Sequence, residues 1–320
     1  MGYIVKRLLV TALTLILVSI LGFAAFRLIP GDAALLSLGT VAGPQGQIDI
    51  LRSELGLDKS YPEQYLSWLR GILTGQLGNS ARWRGAPVSQ MILERLPVSA
   101  ALAGLSFFFV LLLAVPVSLI SVKGEHSLSS RLVSALTALN ISMPGFFLGI
   151  LFIWFFGLIM KWFSPGAFVS FGENKAAFFA YLAFPALAIA LPNAALLAKF
   201  LRASIFRELK SDYVRTARSK GGNRVRILRR HVLKNASLPA ITLLGMIAGE
   251  IFSGSIVIEQ VFGIPGIGRL LIASISARDY AVIGTLMVYI AFVVILANTL
   301  ADLTLQIVDP RIRIGRKVEA

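Results

Sequence analysis

Long stretches without a single charged side chain constrain this sequence more than any other feature. Residues 8–26, 96–122, 132–160, 176–198 and 280–301 contain no Asp, Glu, Lys or Arg, and 235–258 contains only Glu250. One helical crossing of a bilayer core requires about 20 apolar residues, so the pattern predicts six transmembrane helices in an all-α integral membrane protein. Composition agrees, with 15% charged residues against about 25% in soluble domains. Lys6-Arg7 before an apolar run also fits a secretory signal. The run is longer than the usual ~7–15-residue signal core, and Arg27-Leu28-Ile29-Pro30 is a poor small-residue cleavage site. An uncleaved first span is the expectation.

Charge sets the orientation. Lys and Arg crowd residues 199–235, opposed only by Glu208 and Asp212, and Arg311, Arg313, Arg316 and Lys317 crowd the tail. Segment 30–97 balances its acidic and basic residues. Lys and Arg beside spans mark the cytoplasmic side. The expected order is an N-terminal transmembrane helix (1–29), a small helical extracytoplasmic segment (30–97) and a five-helix transmembrane core (98–308) with a cytoplasmic loop at 204–238. A basic cytoplasmic tail (309–320) follows, so both termini lie inside.

Several chemistries are excluded. The chain has no cysteine, which excludes disulfides, thiol catalysis and cysteine metal sites. Its only two histidines, His126 and His231, lie far apart, so neither a histidine metal cage nor a serine triad is expected and no metal site is expected. No G-x-x-x-x-G-K-[ST] phosphate cradle is present. The chain is not expected to be an enzyme, nor to hold a cofactor of its own.

The remaining candidates are polar residues inside spans and aromatics outside them. Glu250 lies 11 residues beyond Pro239, roughly 16 Å along a helix, near mid-membrane where an ionisable group costs about 2.5–3.5 kcal/mol. It is the first candidate for an aqueous path, with Ser253 and Asn298 as further candidates. Asn298, Asp302 and Gln306 also share one helical face, which suits packing between helices. Gly245-x-x-x-Gly249 fits a close helix crossing, and Pro116, Pro144, Pro185 and Pro192 favour kinked helices. In the outer segment Tyr61, Tyr65, Trp68 and Leu69 fall on one helical face. They suit a cap packed on the span ends and, compatibly with it, a docking surface for a soluble partner.

The basic loop has internal order. Ser211-Asp212 can cap a helix that runs to Lys220 with Tyr213, Ala217 and Lys220 along one side, and Gly221-Gly222 stops it. Asn223 can cap a second short helix, with Val225, Leu228 and Val232 as its apolar stripe. Ser237-Leu238-Pro239 would then open the fifth span. A nucleic-acid surface would interleave aromatics among the cations, and Tyr213 is the only one from 207 to 235. Contact with anionic membrane lipid fits part of the pattern. Two helices joined by a glycine turn make a projecting elbow, which suits a protein partner.

The loop "DYVRTARSKGGNRVRILRRHVLKNASLP" resembles the coupling loop of permease subunits of ATP-binding-cassette importers, in the dipeptide, oligopeptide and nickel branch. "YIVKRLLVTALTLILVSILGFAAFRLIPGD", "LGLDKSYPEQYLSWLRGILTGQLGNS", "IVIEQVFGIPGIGRLLIASISARDY" and "NTLADLTLQIVDPRIR" extend the resemblance over nearly the whole chain. It implies a bacterial plasma-membrane protein whose Asp212, Tyr213, Arg215, Thr216, Ala217, Lys220 and Gly221 contact an ATPase subunit. ATP and Mg would be bound by two such partners. A second homologous permease would complete the path, and an extracytoplasmic binding protein would dock on Tyr65, Trp68, Pro265, Gly266 and Arg269. In the family's broad pattern of E-A-A, three further residues and then Gly, Arg215 and Thr216 replace the first two positions, leaving the small Ala217 and the glycine. The implied cargo is di- or oligopeptides, or alternatively nickel or another metal or metal chelate. An ion-coupled secondary transporter, the rival class, would be expected to show inverted repeats.

Overall fold

The computed structural model describes residues 2–28, 58–80, 82–83, 85–122 and 128–308. Residues 30–57 of the expected outer segment, Ile29 before them, His126 and the basic tail lie outside the described residues. The described chain is helical: α1 (Gly2–Leu28), α2 (Tyr61–Thr74), α3 (Val88–Val122), α4 (Leu128–Ser142), α5 (Gly145–Phe152), α6 (Lys175–Leu209), α7 (Asp212–Ser219), α8 (Arg224–Ile227), α9 (Leu233–Phe262), α10 (Ile267–Ala277) and α11 (Tyr280–Val308). It divides into one compact unit of residues 1–100 and 265–295 and another of 101–264 and 296–320.

In the first unit, α2 starts where Glu63 accepts a 3.1 Å bond from the Ser60 amide, and ends at Gly75 with φ 76°. Its aromatic side packs on α1: Tyr65 and Ser19 share a 2.8 Å hydroxyl bond, and Phe23 meets the Tyr65 ring at 5.5 Å between centroids. Trp68 lies over Gly284 of α11, where an added Cβ would come 3.2 Å from the indole nitrogen. Tyr61, expected on the same face, is exposed together with Leu66 and Leu73. The unit's core joins Val88, Met91 and Ile92 of α3 to Ile267 and Leu270 of α10 and to Val282 and Leu286 of α11. Buried polar groups pin these helices. Ser99 accepts from the Ile267 amide at 2.8 Å, and the buried Asp279 accepts from the Ser80 hydroxyl and from the Arg82 amide at 3.2 Å.

The second unit is built on α6. Its buried stripe, including Leu182, Ala186, Ile189, Leu197 and Ile205, and the buried Ile247, Ile251, Ile258 and Phe262 of α9 supply the core of this pair. Gly245 of α9 faces Ala301 of α11 so closely that a Cβ would lie 2.4 Å from the alanine methyl, which is the close crossing expected of a small residue. Tyr181 ties three segments. Its hydroxyl donates to the Phe262 carbonyl at 2.6 Å and accepts from the Gly166 amide at 2.9 Å. Tyr181→Phe strands both partners, so a loss of about 1–3 kcal/mol is expected. Thermal unfolding of the purified protein against wild type measures it, and an unchanged midpoint would refute this role for the hydroxyl.

Among the described residues, four helices are long and apolar enough to cross a membrane: Val88–Ile120, Lys175–Leu209, Val225–Phe262 and Tyr280–Ile307. The stretch 132–160, expected as one span, is instead two helices meeting at 99°. Proline is the cause. Pro144 has no amide to continue α4 and biases Met143 away from helical geometry, and α5 restarts with the Phe147 and Leu148 amides on the Pro144 carbonyl at 3.0 and 3.2 Å. Counted as one broken span, the pair makes a fifth. The 27-residue α1 is about 40 Å long at 1.5 Å per residue, and its described apolar part is Leu9–Ala24.

Candidate functional site

The basic loop folds around a single short helix. Ser211 precedes α7 in extended geometry, and its hydroxyl donates to the Glu208 carbonyl at 2.6 Å. The helix ends as its glycines require: the Gly221 amide bonds the Arg218 carbonyl at 2.9 Å and the Gly222 amide the Ala217 carbonyl at 3.1 Å. Gly221 takes the left-handed φ of 77° that this paired closure demands. Val214 is fully buried and anchors the inner face.

The expected second short helix is corrected. Asn223 does cap it, accepting from the Val225 amide at 3.0 Å. However, α8 passes through a wide π-type turn, Leu228–Val232, directly into α9. The candidate span Val225–Phe262 therefore opens at the glycine turn rather than at Pro239, which lies inside α9. The π turn also shifts the apolar stripe. Ile227 and Val232, five apart as i→i+5 geometry aligns them, are buried at 3% and 0%, whereas Val225 is 56% exposed.

All seven loop residues singled out from the sequence lie on α7 and its closing turn. Tyr213 donates to the Glu208 carboxylate at 2.6 Å, locking α7 to the end of α6. Partial burial, and then the Glu208 acceptor, push its phenol above the ordinary tyrosine range, so it stays a donor. Asp212 and Arg215 form an exposed 3.5 Å pair of little energetic weight. Thr216 bonds back to the Asp212 carbonyl at 3.1 Å, Ala217 is half-buried, and Lys220 is exposed. The result is an outward-facing basic surface on a helix hydrogen-bonded at both ends.

A second feature lies at the break between α4 and α5. A cavity of about 320 Å³ is lined by Ile141, Met143, Pro144, Gly145 and Phe146 at the break, by Ile189, Pro192, Asn193 and Leu196 of α6, and by Glu250, Gly254, Val257 and Ile258 of α9. Pro192 cannot donate to the Ala188 carbonyl one turn back, and a Cβ on Gly145 would come 3.2 Å from that oxygen. Among the described lining residues Glu250 is the acidic group, and Asn193, whose amide nitrogen donates to the Ile189 carbonyl at 3.0 Å, shares the lining. Such a chamber, apolar with one carboxylate, favours a cationic or amine-bearing group.

The other path candidates stand elsewhere. The Ser253 hydroxyl bonds the Gly249 carbonyl at 3.2 Å, and Asn298 packs at the Gly245 crossing; neither lines the cavity. Tyr65 packs on α1 and Trp68 on α11, as a cap on the span ends does. Pro265 and Arg269 are exposed at the start of α10, and Gly266 is buried. Asn193, Tyr181, Glu208 and Asp279 were not singled out from sequence. An amide directly after a proline inside a span was the available signal for Asn193.

The profile of the family described as "Binding-protein-dependent transport system inner membrane component" matches residues 114–314, and that of "Binding-prot-dependent transport system membrane comp, N-term" matches residues 1–103. A peptide ABC transporter permease protein, y4tP, of Sinorhizobium fredii is 33% identical over 311 residues, covering 97% of this chain and 99% of that protein. The oligopeptide transport system permease protein AppB of Bacillus subtilis is 32% identical over 313 residues, covering 97% and 99%. The MetNI methionine ABC transporter in an inward-facing conformation shares the fold, with a TM-score of 0.56 and 18% identity over 70% of this chain and 98% of that one. The chain thus belongs to the binding-protein-dependent transport-system inner-membrane components: it is a multi-pass permease subunit of an ATP-binding-cassette importer in a bacterial inner membrane.

Proposed function

We propose that this permease forms one half of a path for di- or oligopeptides, the other half being a second homologous permease. Two ATPase subunits seat α7 in the cytoplasm and bind the ATP and Mg, and this chain performs no catalysis. An extracytoplasmic binding protein delivers the cargo, with the exposed Pro265 and Arg269 region as a docking candidate. The chain crosses six times, through α1, α3, the broken α4–α5 pair, α6, α9 and α11, with both termini inside. The observation that carries this reading is the joint at Glu208–Tyr213. A partner that moves α7 moves α6, and α6 supplies a wall of the cavity containing Glu250. The peptide cargo is supported by the names of the relatives above.

Gentle affinity purification of the chain from its native membrane tests the assembly. Two ATPases, a second permease and a binding protein that takes peptides rather than Ni²⁺ are expected. A chain that comes out alone, yet transports in liposomes without ATP, would overturn the reading in favour of a secondary transporter. Within the path, Glu250→Gln removes the charge and keeps the shape. Loss of a charge-assisted contact of about 1.5 kcal/mol lowers uptake about tenfold with normal assembly. Unchanged uptake in proteoliposomes would remove Glu250 from the path.

A further inference from the structure

The helix α2 divides its circumference three ways. One side packs: Tyr65 lies against α1, Trp68 against α1 and α11, and Gln64 is buried. A second side, Pro62, Leu66, Leu69 and Leu73, repeats at i, i+4, i+7 and i+11, the spacing of one helical face. On it Leu66 and Leu73 are 62% and 79% exposed. A third side has the same spacing with Glu63, Ser67, Arg70 and Thr74, all exposed. At about 100° per residue, the leucine side falls between the packed side and the polar one. A helix lying in a bilayer surface has these three sides, one on protein, one in acyl chains and one in water.

Depth identifies lipid as the neighbour of the leucine side. The Tyr65 hydroxyl meets Ser19 at 2.8 Å, and Ser19 stands eight residues before Arg27, the charge that ends the run 8–26. That separation is about 12 Å along α1. Trp68 meets α11 at Gly284, four residues after the helix begins at Tyr280, so about 6 Å into the charge-free run 280–301. Two helices thus set α2 inside the charged boundary of their apolar stretches, at the level where Tyr and Trp gather in a bilayer. On α1 itself Leu13, Leu17 and Leu21, one turn apart, are exposed as well. The leucines of α2 add to a surface that is already apolar.

We propose that α2 lies in the plane of the bilayer surface, with Leu66 and Leu73 in the acyl chains of phospholipid and Glu63, Ser67 and Arg70 in water. The leaflet, and the crossing by α1 from which depth is measured, rest on the six-crossing reading above. Anchored in this way, α2 fixes the depth of the parts of α1 and α11 that it contacts.

The chain has no cysteine, so a single introduced cysteine carries a bimane fluorophore without background. Leu66→Cys, Leu73→Cys and Ser67→Cys are all at exposed positions, where the label displaces no packed side chain. Each is labelled in the full chain with its co-purifying subunits, and Leu13→Cys on α1 serves as the lipid reference. The transporter is placed in nanodiscs of phosphatidylcholine with brominated or unbrominated acyl chains. Loss of fluorescence in brominated lipid is expected at Leu13, Leu66 and Leu73. Ser67 should keep its fluorescence there and lose it to iodide in the buffer. Iodide quenching at Leu66 and Leu73 as strong as at Ser67 would overturn the proposal, because that side then faces water. Shielding from both quenchers would overturn it equally, because protein then covers the leucines. Lipid quenching at Leu66 and Leu73 but not at Leu13 would uphold the interfacial helix and remove the crossing of α1, so the two failures are told apart.

Discussion

Gly222→Val is expected to lower uptake by at least about tenfold while the membrane-embedded helices remain folded. A Cβ at this position would lie 2.8 Å from the Ala217 carbonyl oxygen and 3.0 Å from the Ile227 side chain. The oxygen is backbone and is the same atom that the Gly222 amide bonds at 3.1 Å. The side chain and the closing hydrogen bond therefore compete for one place. Overpacking of this kind costs about 1–3 kcal/mol, enough to open a turn closed by two hydrogen bonds. Gly221 differs: nothing lies within 4 Å of its added Cβ, but its φ is 77°. Gly221→Ala then carries only the left-handed penalty of about 1 kcal/mol, and a fewfold loss of uptake is expected. Measuring ATPase activity and uptake together in the reconstituted transporter separates the consequences. ATP hydrolysis without uptake means that α7 still seats its partner but no longer moves α6. Lost ATPase subunits mean that the seat itself has gone. Full transport by Gly222→Val would show that the elbow need not be closed.

The second large effect is expected at Asp279, which is 1% exposed. One carboxylate oxygen accepts from the Ser80 hydroxyl and the Arg82 amide, and the other lies 3.5 Å from the Val282 amide in the first turn of α11. The residue thus caps a span helix while holding the 80–83 turn against it. Asp279→Ala strands these donors and removes the cap. Losses of about 1–3 kcal/mol for a buried unmet group and about 1 kcal/mol for the cap combine to roughly 3 kcal/mol. An unfolding midpoint lower by on the order of 5–10 °C is expected. Asp279→Asn keeps an acceptor and the cap, and should lose clearly less. Equal midpoints for wild type and Asp279→Ala would show that the network contributes no stability.

The sequence was most legible where one physical rule acts locally. Charge-free runs marked the apolar helices because a bilayer core excludes ions regardless of what packs beside them. Gly221 and Asn223 marked the end of α7 and the start of α8 because caps and left-handed turns depend on neighbours a few residues away. Ser211 precedes α7 but turns its hydroxyl back to the Glu208 carbonyl instead of capping the helix. The errors arose where two local rules competed. Pro144 and Pro239 are both prolines in apolar runs, yet the first breaks a helix at 99° and the second lies within one. Proline disfavours helix at the preceding residue without forbidding it, so packing decides. Nor could a fixed 3.6-residue period foresee the π turn that buries Ile227 in place of Val225.

Membrane class and the short helix closed by a glycine turn were thus legible in sequence alone, through residue type and short-range spacing. Tertiary structure decided which polar residues act together. Glu250 and Asn193 are 57 positions apart in the chain and line one cavity, while Ser253, one turn from Glu250, does not. Asp279 finds Ser80 across 199 residues. Such pairings depend on how helices cross, and helix crossings are set by the shapes of whole faces, which no local pattern records.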